Sequence, residues 1–367
     1  MGSLLSGGVD SSLVCWAIKS LGGNIRAFTV GTPGSDQDET ADAVDTARRL
    51  EIQHEVLESD SGQSPDVQEI AGAYAEPFGC TSALGMLQIS RVVKQCATVL
   101  LTGDGGDDVF LGYPSHLNIV RAEALARRLP GVASKLWCSV RGLVPRTGVM
   151  RRACHLMDFA SCGIGAMAAI HGNLQFFRDN GIMGERLATI ESPGAELHWS
   201  PASARNLATS LIEYHLQGMF LSEFMTKVDG ATMHYALEAR SPFLDQELWE
   251  FASRLPIVTR LRGNRLKAIL RELARRKIGD RVARGAKRGF RIPVEQWMAG
   301  RWRSGIEETL RDSLLQKEGW IPAGQALRCL ERYASGGRVP TYMWHLYTLE
   351  SWLRHERAEA IVGTGSA

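Results

Sequence analysis

The sequence has no C-x-x-C pair, and its seven cysteines are scattered over 367 residues. An odd and dispersed set of thiols excludes the disulfide framework of a small secreted domain and shows no zinc-ligand spacing. No apolar run approaches the roughly 18–20 residues that a membrane span needs, and the first residues have no signal-peptide pattern. These absences predict a cytoplasmic protein with reduced thiols.

Two common nucleotide-binding patterns are also missing. The Walker pattern G-x-x-x-x-G-K-[ST] and the dinucleotide fingerprint G-x-G-x-x-G occur nowhere in the chain, which excludes a P-loop ATPase and a standard dinucleotide site. The formal net charge is only +2, so the overall charge does not indicate nucleic-acid binding.

Basic residues are nevertheless concentrated between positions 254 and 303. They include Arg260, Arg262, Arg265, Lys267, Arg271, Arg275, Arg276, Lys277, Arg281, Arg284, Lys287, Arg288 and Arg291. Such a stretch is typical of solvated helix faces; the alternative is a pocket for phosphates or for an acidic partner.

Strand and helix patterns alternate between Leu4 and Gly103. Short apolar strands at 4–5, 25–31, 53–58 and 97–103 are separated by helical patterns at 11–22, 38–50 and 82–96. This alternation predicts an α/β fold with a parallel twisted sheet flanked by helices. Ligands bind beyond the carboxyl ends of such strands, where the loops at Ser6, Gly31 and Gly103 begin.

The strand pattern fades after about Arg121, and helical periodicity follows as far as the C-terminal segment TYMWHLYTLESWLRHE. We therefore expect an α/β nucleotide-binding domain at 1–121 and a mainly helical region at 122–358. Residues 161–201 are glycine-rich and weakly periodic, and they receive no assignment.

The segment SGGVDSS joins the first strand to the first helix. Gly7 and Gly8 let a ligand approach the backbone closely, and the hydroxyls of Ser6, Ser11 and Ser12 can surround an anion at the helix start. Asp10 would repel a phosphate unless a cation lies between them, which indicates Mg²⁺. The alternative is a glycine helix entry with serine caps.

The segment TGDGGDD follows the most apolar strand. Clustered carboxylates repel one another unless a cation is bound, so Asp107 is a candidate second Mg²⁺ ligand facing Asp10. Asp104 would then lie nearer the reacting centre.

Together, SGGVDSS and TGDGGDDVFLGY resemble the synthetase domain of the class B asparagine synthetases, which are PP-loop ATP pyrophosphatases. The later segments KVDGATMHYALEARSPFLD, RGAKRGFRIPVEQW and MWHLYTLESWL are similar to further motifs of that family. The resemblance runs from Leu4 to about Arg354.

The resemblance implies carboxylate adenylation by ATP, release of pyrophosphate, and attack of ammonia or an amine with loss of AMP. Asp104 would be the general base, Lys287 would stabilise developing charge, and Lys267 is a second candidate for pyrophosphate contact. The implied ATP and pyrophosphate contacts are Leu5, Ser6, Gly7, Gly8, Asp10, Ser11, Ser12, Val30, Gly31, Thr102 and Gly103. Asp10 and Asp107 would hold Mg²⁺. Glu238, Arg240 and Asp245 are expected to form an ion-pair network.

Two departures leave the substrate and the nitrogen source open. The second loop reads GDGGDD where the family often has GEGSDE, so the Asp104 carboxylate lies about 1.5 Å short of a glutamate's. The family's glutaminase domain, with its nucleophilic cysteine, does not precede SGGVDSS. The chain would be a fragment, would work with a separate glutaminase, or would use an amine of the substrate itself.

The open functions are therefore an aspartate-activating amide ligase and a lactam- or macrolactam-forming cyclase of the same family. A tRNA-modifying PP-loop protein and a non-catalytic remnant are less favoured, since no RNA-binding appendage is evident and Asp10, Asp104, Asp107 and Lys287 are all present.

Overall fold

The computed structural model describes residues 1–31, 38–58, 66–145, 148–171, 174–190, 206–285 and 292–364. The strands are β1 (Gly2–Leu4), β2 (Arg26–Gly31), β3 (Gln53–Glu58), β4 (Val99–Leu101) and β5 (Glu238–Arg240). The α-helices are α1 (Val9–Ser20), α2 (Thr40–Leu50), α3 (Val67–Ala73), α4 (Ala83–Lys94), α5 (Gly106–Val109), α6 (Pro114–Ala126), α7 (Gly131–Val140), α8 (Gly148–His171), α9 (Gln175–Asp179), α10 (Glu185–Ala188), α11 (Leu207–His215), α12 (Thr226–His234), α13 (Gln246–Arg254), α14 (Ile257–Arg260), α15 (Ala268–Lys277), α16 (Asp280–Arg284), α17 (Val294–Ala299), α18 (Arg303–Arg311), α19 (Leu314–Lys317), α20 (Gln325–Ala334) and α21 (Thr341–Thr364). Arg141–Leu143 and Pro242–Leu244 form 3₁₀ turns, and Leu216–Met225 is π-helical.

The five strands form one parallel sheet in the order β3-β2-β1-β4-β5. The central strand β1 pairs on both sides, with Ser3 opposite Ala27 of β2 and Leu101 of β4. Because every pairing is parallel, the carboxyl ends of all strands meet at one edge. The predicted α/β fold, with a parallel sheet flanked by helices, is confirmed.

The sheet has a hydrophobic core on each face. Ala27 packs in a cluster with Cys15 of α1, whereas its neighbour Phe28 packs in another cluster with Val93 of α4. Successive side chains of a strand point to opposite faces, so helices cover both sides, as buried parallel sheets require.

Strand β5 was not anticipated from the sequence. Its three residues are Glu-Ala-Arg, and both ends are exposed, so no apolar run marks it. The backbone nevertheless pairs with β4, with Leu100 opposite Ala239. An edge strand needs only one hydrogen-bonded neighbour, and its side chains leave little hydrophobic signal.

The expected network of Glu238, Arg240 and Asp245 is only partly present among the described residues. Glu238 and Arg240 form an exposed ion pair at 2.7 Å. The Asp245 carboxylate instead caps α13 by accepting hydrogen bonds from the backbone N–H groups of Glu247 and Leu248, at 3.0 and 3.1 Å. Such a cap satisfies donors that a helix start leaves unbonded.

Spatial contacts divide the chain into two compact units. The first comprises Met1–Ser64, Gly85–Arg128 and Ala204–Phe290, and it contains the whole sheet. The second comprises Pro65–Leu84, Leu129–Ser203 and Arg291–Ala367. The sequence-based boundary between residues 121 and 122 stays a prediction.

The second unit is helical in its described part and includes the C-terminal helix expected from TYMWHLYTLESWLRHE. Trp344 of α21 is fully buried, donates its indole N–H to the Gly79 carbonyl at 2.9 Å, and stacks on Trp302. Part of the segment 161–201 belongs to α8, α9 and α10. No helix in the described ranges combines the length and apolarity needed to cross a membrane.

We expect Leu100→Ala to lower the free energy of unfolding by about 2–5 kcal/mol, because Leu100 is fully buried in the sheet and its loss leaves a cavity. Urea unfolding measures the change. The control is Leu21→Ala, a leucine that is 87% exposed; its effect should stay within about 0.5 kcal/mol. Equal effects of the two changes would contradict the assigned core.

Candidate active site

The predicted ligand loops lie at the same edge of the sheet. Leu5 follows β1, Val30 and Gly31 end β2, and Thr102 and Gly103 follow β4. Leu5 and Thr102 continue the sheet by donating backbone hydrogen bonds to Phe28 and Arg240, at 2.8 and 2.9 Å. Residues far apart in the chain therefore meet at one edge of the sheet.

The first loop is held by its own serines. The Ser6 backbone N–H donates to the Ser11 hydroxyl at 3.1 Å, and the two hydroxyls lie 3.0 Å apart. The Gly8 N–H approaches the Ser6 hydroxyl at 3.3 Å. Ser12 differs, because its hydroxyl is fully buried and has no hydrogen-bond partner among the described residues.

Two features suit this loop to an anion. No side chain caps the start of α1 at Gly8, so backbone N–H groups of its first turn remain to bind a ligand. Gly7 has a φ of +74°, and a Cβ there would lie 2.7 Å from Asp42. Glycine is therefore required by the turn and by its close packing on α2.

The second loop packs directly on Asp10. A Cβ at Gly103 would lie 2.9 Å from the Asp10 Cβ, and one at Gly106 would lie 2.6 Å from Asp10 Oδ1. These glycines allow the backbone after β4 to approach the first loop. The two glycine-rich motifs, which the sequence shows separately, thus form one surface.

Lys267 joins the two loops. Its ammonium group contacts Asp10 Oδ2 and lies 2.6 Å from Asp107 Oδ1. The lysine is 4% exposed, so the ion pairs are shielded from solvent, and removal of one partner would leave buried charge without compensation. The structure therefore brings Asp10, Asp107 and Lys267 together at the edge of the sheet.

Lys267 also has a constrained backbone. Its φ of +51° places it in the left-handed region just before α15. For a residue other than glycine this conformation costs of order 1–3 kcal/mol and is concentrated at functional sites. The surrounding contacts hold the lysine at this position.

Gly112 makes room for the Lys267–Asp107 contact. A Cβ at this position would overlap both the Asp107 carboxylate and Cε of Lys267. Gly112 is the last glycine of the second motif, TGDGGDDVFLGY, and no local pattern in the sequence marks its role. Any larger residue would push one of the two charged groups away.

The carboxylates fit a divalent cation together with a phosphate. Asp10 and Asp107 already converge on one cation, the Lys267 ammonium. Mg²⁺ is commonly bound by one or two carboxylates, with water and substrate phosphates as the other ligands. In the described part of the chain no cluster of three or more acidic, histidine or cysteine side chains forms a metal site.

A buried polar layer lies next to Asp107. The Asp108 carboxylate is 3.4 Å from Nε2 of His215 and 3.5 Å from the Tyr113 hydroxyl, which donates to it. Burial, followed by the charge of Asp108, raises the pKa of Tyr113. Burial lowers the pKa of His116 to about 3. Tyr113 and His116 are therefore both neutral at pH 7, and they add no charge beside the carboxylates.

Asp104 is half-buried at the mouth of the second loop. Its backbone carbonyl accepts a hydrogen bond from the Ser241 hydroxyl, just after β5. Its carboxylate has no hydrogen bond or ion pair with another described residue. Lys287, the other predicted catalytic residue, lies outside the described residues.

The similarity of this chain to known proteins agrees with the geometry. A model of the family described as asparagine synthase matches residues 1–354. The chain belongs to the asparagine synthase family.

Relatives of this family member include asparagine synthetase [glutamine-hydrolyzing] 1 of Bacillus subtilis. It is 23% identical over 350 residues, which are 91% of this chain and 52% of the relative. A putative asparagine synthetase [glutamine-hydrolyzing] 2 of Methanocaldococcus jannaschii is 34% identical over 136 residues, 35% of this chain and 25% of the relative.

A relative with a different name is Amidase chry2 of Gibberella zeae, which is 23% identical over 369 residues, 86% of this chain and 53% of the relative. The chain thus spans about half the length of the curated relatives that it matches along most of its own length.

We expect Gly112→Ala to destabilise the protein by about 1–3 kcal/mol, the usual cost of overpacking, because its methyl group would displace Lys267 or Asp107. Thermal unfolding measures the change. The control is Gly142→Ala, since a Cβ at Gly142 meets nothing within 4 Å. An unchanged melting temperature in Gly112→Ala would contradict the packing described above.

We also expect Lys267→Met to make the site a stronger binder of Mg²⁺, because the ammonium and the metal compete for the same two carboxylates. Addition of MgCl₂ should raise the melting temperature of Lys267→Met more than that of the wild type, by mass action. The doubly changed variant Asp10→Asn with Lys267→Met should lose this response. If Mg²⁺ stabilises all three proteins equally, the two carboxylates are not the metal ligands.

Proposed function

We propose that this protein is an ATP-dependent, AMP-forming ligase that joins a carboxylate to a nitrogen nucleophile. The observation that carries the proposal is the convergence of Asp10, Asp107 and Lys267 on the serine-glycine loop in a member of the asparagine synthase family. A carboxylate is a poor electrophile, and transfer of AMP to it supplies the leaving group that amide formation needs. The acid would be aspartate or a similar carboxylate.

In this proposal the first loop holds the phosphates of ATP. The hydroxyls of Ser6, Ser11 and Ser12 and the backbone N–H groups at the start of α1 donate to phosphate oxygens, and the helix dipole favours the negative charge. The adenosine lies toward Leu5, Val30, Gly31, Thr102 and Gly103. These backbone segments end three adjacent strands, where α/β sheets bind ligands.

Asp10 and Asp107 would hold Mg²⁺, which would supply positive charge to neutralise the phosphates. The Lys267 ammonium, which Mg²⁺ would displace from these carboxylates, would contribute its positive charge to the phosphate oxygens and so favour departure of pyrophosphate. Lys287 is proposed, from the family motif, to stabilise the charge of the adenylation and amidation steps.

Asp104 is proposed as the general base for the attacking nitrogen. Its carboxylate lies on the loop that contacts Asp10, so it sits near the loop proposed to bind phosphate, and it is not engaged by a described neighbour. A base must reach the nucleophile's proton directly or through one water. The nitrogen would come from ammonia, a separate glutaminase or a further domain. A cytoplasmic location belongs to the same proposal.

A second candidate is a ligase that closes a lactam or macrolactam with an amine of its own substrate. Both candidates share the transfer of AMP from ATP to the carboxylate, which gives an acyl-adenylate. The short Asp104 side chain favours this candidate, because it leaves room for a bulkier nitrogen nucleophile than a glutamate would. One relative of this chain carries the name Amidase chry2 and not asparagine synthetase.

The test is incubation of the protein with ATP, MgCl₂, ammonium and a panel of carboxylic acids, followed by assay of AMP and pyrophosphate. We expect the two products in equal amounts, with asparagine formed from aspartate. Amide formation without ammonium, from an acid that carries its own amine, would select the second candidate. Release of ADP and phosphate, or no AMP from a folded protein with any acid, would contradict the proposal.

Lys267→Gln should lower kcat/KM for pyrophosphate release by about 100-fold or more, as loss of one preorganised electrostatic group does. Arg254→Gln is the matched control, because Arg254 forms only an exposed pair with Glu250 at 3.3 Å. Its kinetics should equal those of the wild type. Equal rates for Lys267→Gln and the wild type would remove Lys267 from the mechanism.

A further inference from the structure

An arginine-lined cleft of about 700 Å³ lies beside the candidate active site, within the first compact unit. Its charged lining consists of Arg262, Arg265, Arg271, Arg275, Arg284 and Asp280. The volume is in the range of small-molecule sites. Five guanidinium groups against one carboxylate make the cleft strongly positive.

Three of these arginines are already engaged. Arg271 donates to the backbone carbonyls of Leu266, Ala283 and Gly285 at 2.8–3.1 Å, so it holds the wall of the cleft together. Arg275 binds both oxygens of Glu272, which does not line the cleft. Arg284 pairs with Asp280 at 3.3 Å.

Arg262 and Arg265 differ from the other three. They flank a tight turn in which the backbone N–H of each donates to the carbonyl of the other, at 3.1 and 3.0 Å, and Gly263 has a φ of +60°. Residues paired in this way project from the same face of the turn. Both are exposed, and neither forms an ion pair with another described residue.

Two like charges directly opposite each other destabilise a turn. No described carboxylate offsets this pair, and Arg271 adds further positive charge. Burial lowers the pKa of Arg271, and the nearby charge of Arg265 lowers it further. The guanidinium groups of Arg262, Arg265 and Arg271 therefore repel one another, and a bound anion would reduce this repulsion.

The cleft is also adjacent to the reactive groups. Its wall residue Leu266 immediately precedes Lys267 in the chain. The charges of Asp10 and Asp107 act on Arg271 as well. A ligand in the cleft would therefore lie beside the loop that is proposed to bind ATP, without occupying it.

We propose that this cleft binds a phosphate dianion through Arg262 and Arg265. A guanidinium group matches the two oxygens of a carboxylate in a single bidentate contact. Two guanidinium groups on one face supply two positive charges and two pairs of adjacent N–H donors. These match a phosphate, which has a charge near −2 and three acceptor oxygens. The phosphate is either a free inorganic ion or a phosphoryl group carried by the substrate. This site does not depend on the adenylation chemistry.

The experiment measures the equilibrium binding of inorganic phosphate to the full chain at low ionic strength by calorimetry. The wild type is compared with the double variant R262Q/R265Q. The control is R48Q/R254Q, which removes the same charge from exposed helix positions outside the cleft. The serine-glycine loop is unchanged in all three, so a difference between them belongs to the cleft.

We expect R262Q/R265Q to lose about tenfold or more in phosphate affinity, the effect of removing charge-assisted hydrogen bonds, and the control to bind like the wild type. If R262Q/R265Q does not fold, R262K/R265K is measured in its place. It keeps the positive charge but loses the paired N–H donors of both guanidinium groups, so it should still bind phosphate more weakly than the wild type does. Equal affinity in the wild type and the arginine variants would overturn the proposal, as would an equal loss in the control.

Two further probes identify the ligand's source and class. Tighter arginine-dependent binding of O-phospho-L-serine than of inorganic phosphate would indicate a phosphorylated substrate, and the reverse order would indicate a free ion. Tighter arginine-dependent binding of succinate than of either would overturn the assignment to phosphate. The experiment measures binding and not catalysis. A negative result would therefore overturn the phosphate site without affecting the proposed ligase activity.

Discussion

The candidate site depends on one electrostatic arrangement, the buried ammonium of Lys267 between the carboxylates of Asp10 and Asp107. The half-buried Asp10 carboxylate and the buried Asp107 carboxylate repel each other, and the lysine ammonium between them offsets this repulsion. The glycines of both loops serve the same contact. Gly103 and Gly106 bring the second loop onto Asp10, and Gly112 leaves space for the lysine.

The parallel sheet makes this arrangement possible. Strands β1 and β4 are neighbours, so the loops that follow them begin side by side even though about a hundred residues separate them in the chain. Just after the short strand β5, the Ser241 hydroxyl donates to the Asp104 carbonyl of the second loop. The backbone of Lys267 is strained, and the ion pairs and the packing of α15 on α1 in a shared hydrophobic core hold it in place.

Positive charge continues from Lys267 along the basic stretch. Part of that stretch consists of exposed helix faces, where Arg276 pairs with Glu272 outside the cleft. Another part lines the cleft in which Arg262 and Arg265 face the same side of a turn. The two interpretations of the basic stretch, a solvated surface and a pocket for phosphates, thus concern different residues of it, and the phosphate pocket is a proposal.

The sequence by itself determined the parallel α/β sheet and the two glycine-rich loops at its carboxyl edge, because periodicity and turn chemistry are local properties. It did not show β5, whose three residues lack an apolar run, or the role of Gly112. Only the tertiary structure decided that Lys267, which lies 257 residues after Asp10, occupies the space between the carboxylates. A contact over that separation depends on the path of the whole chain, and no local pattern encodes it.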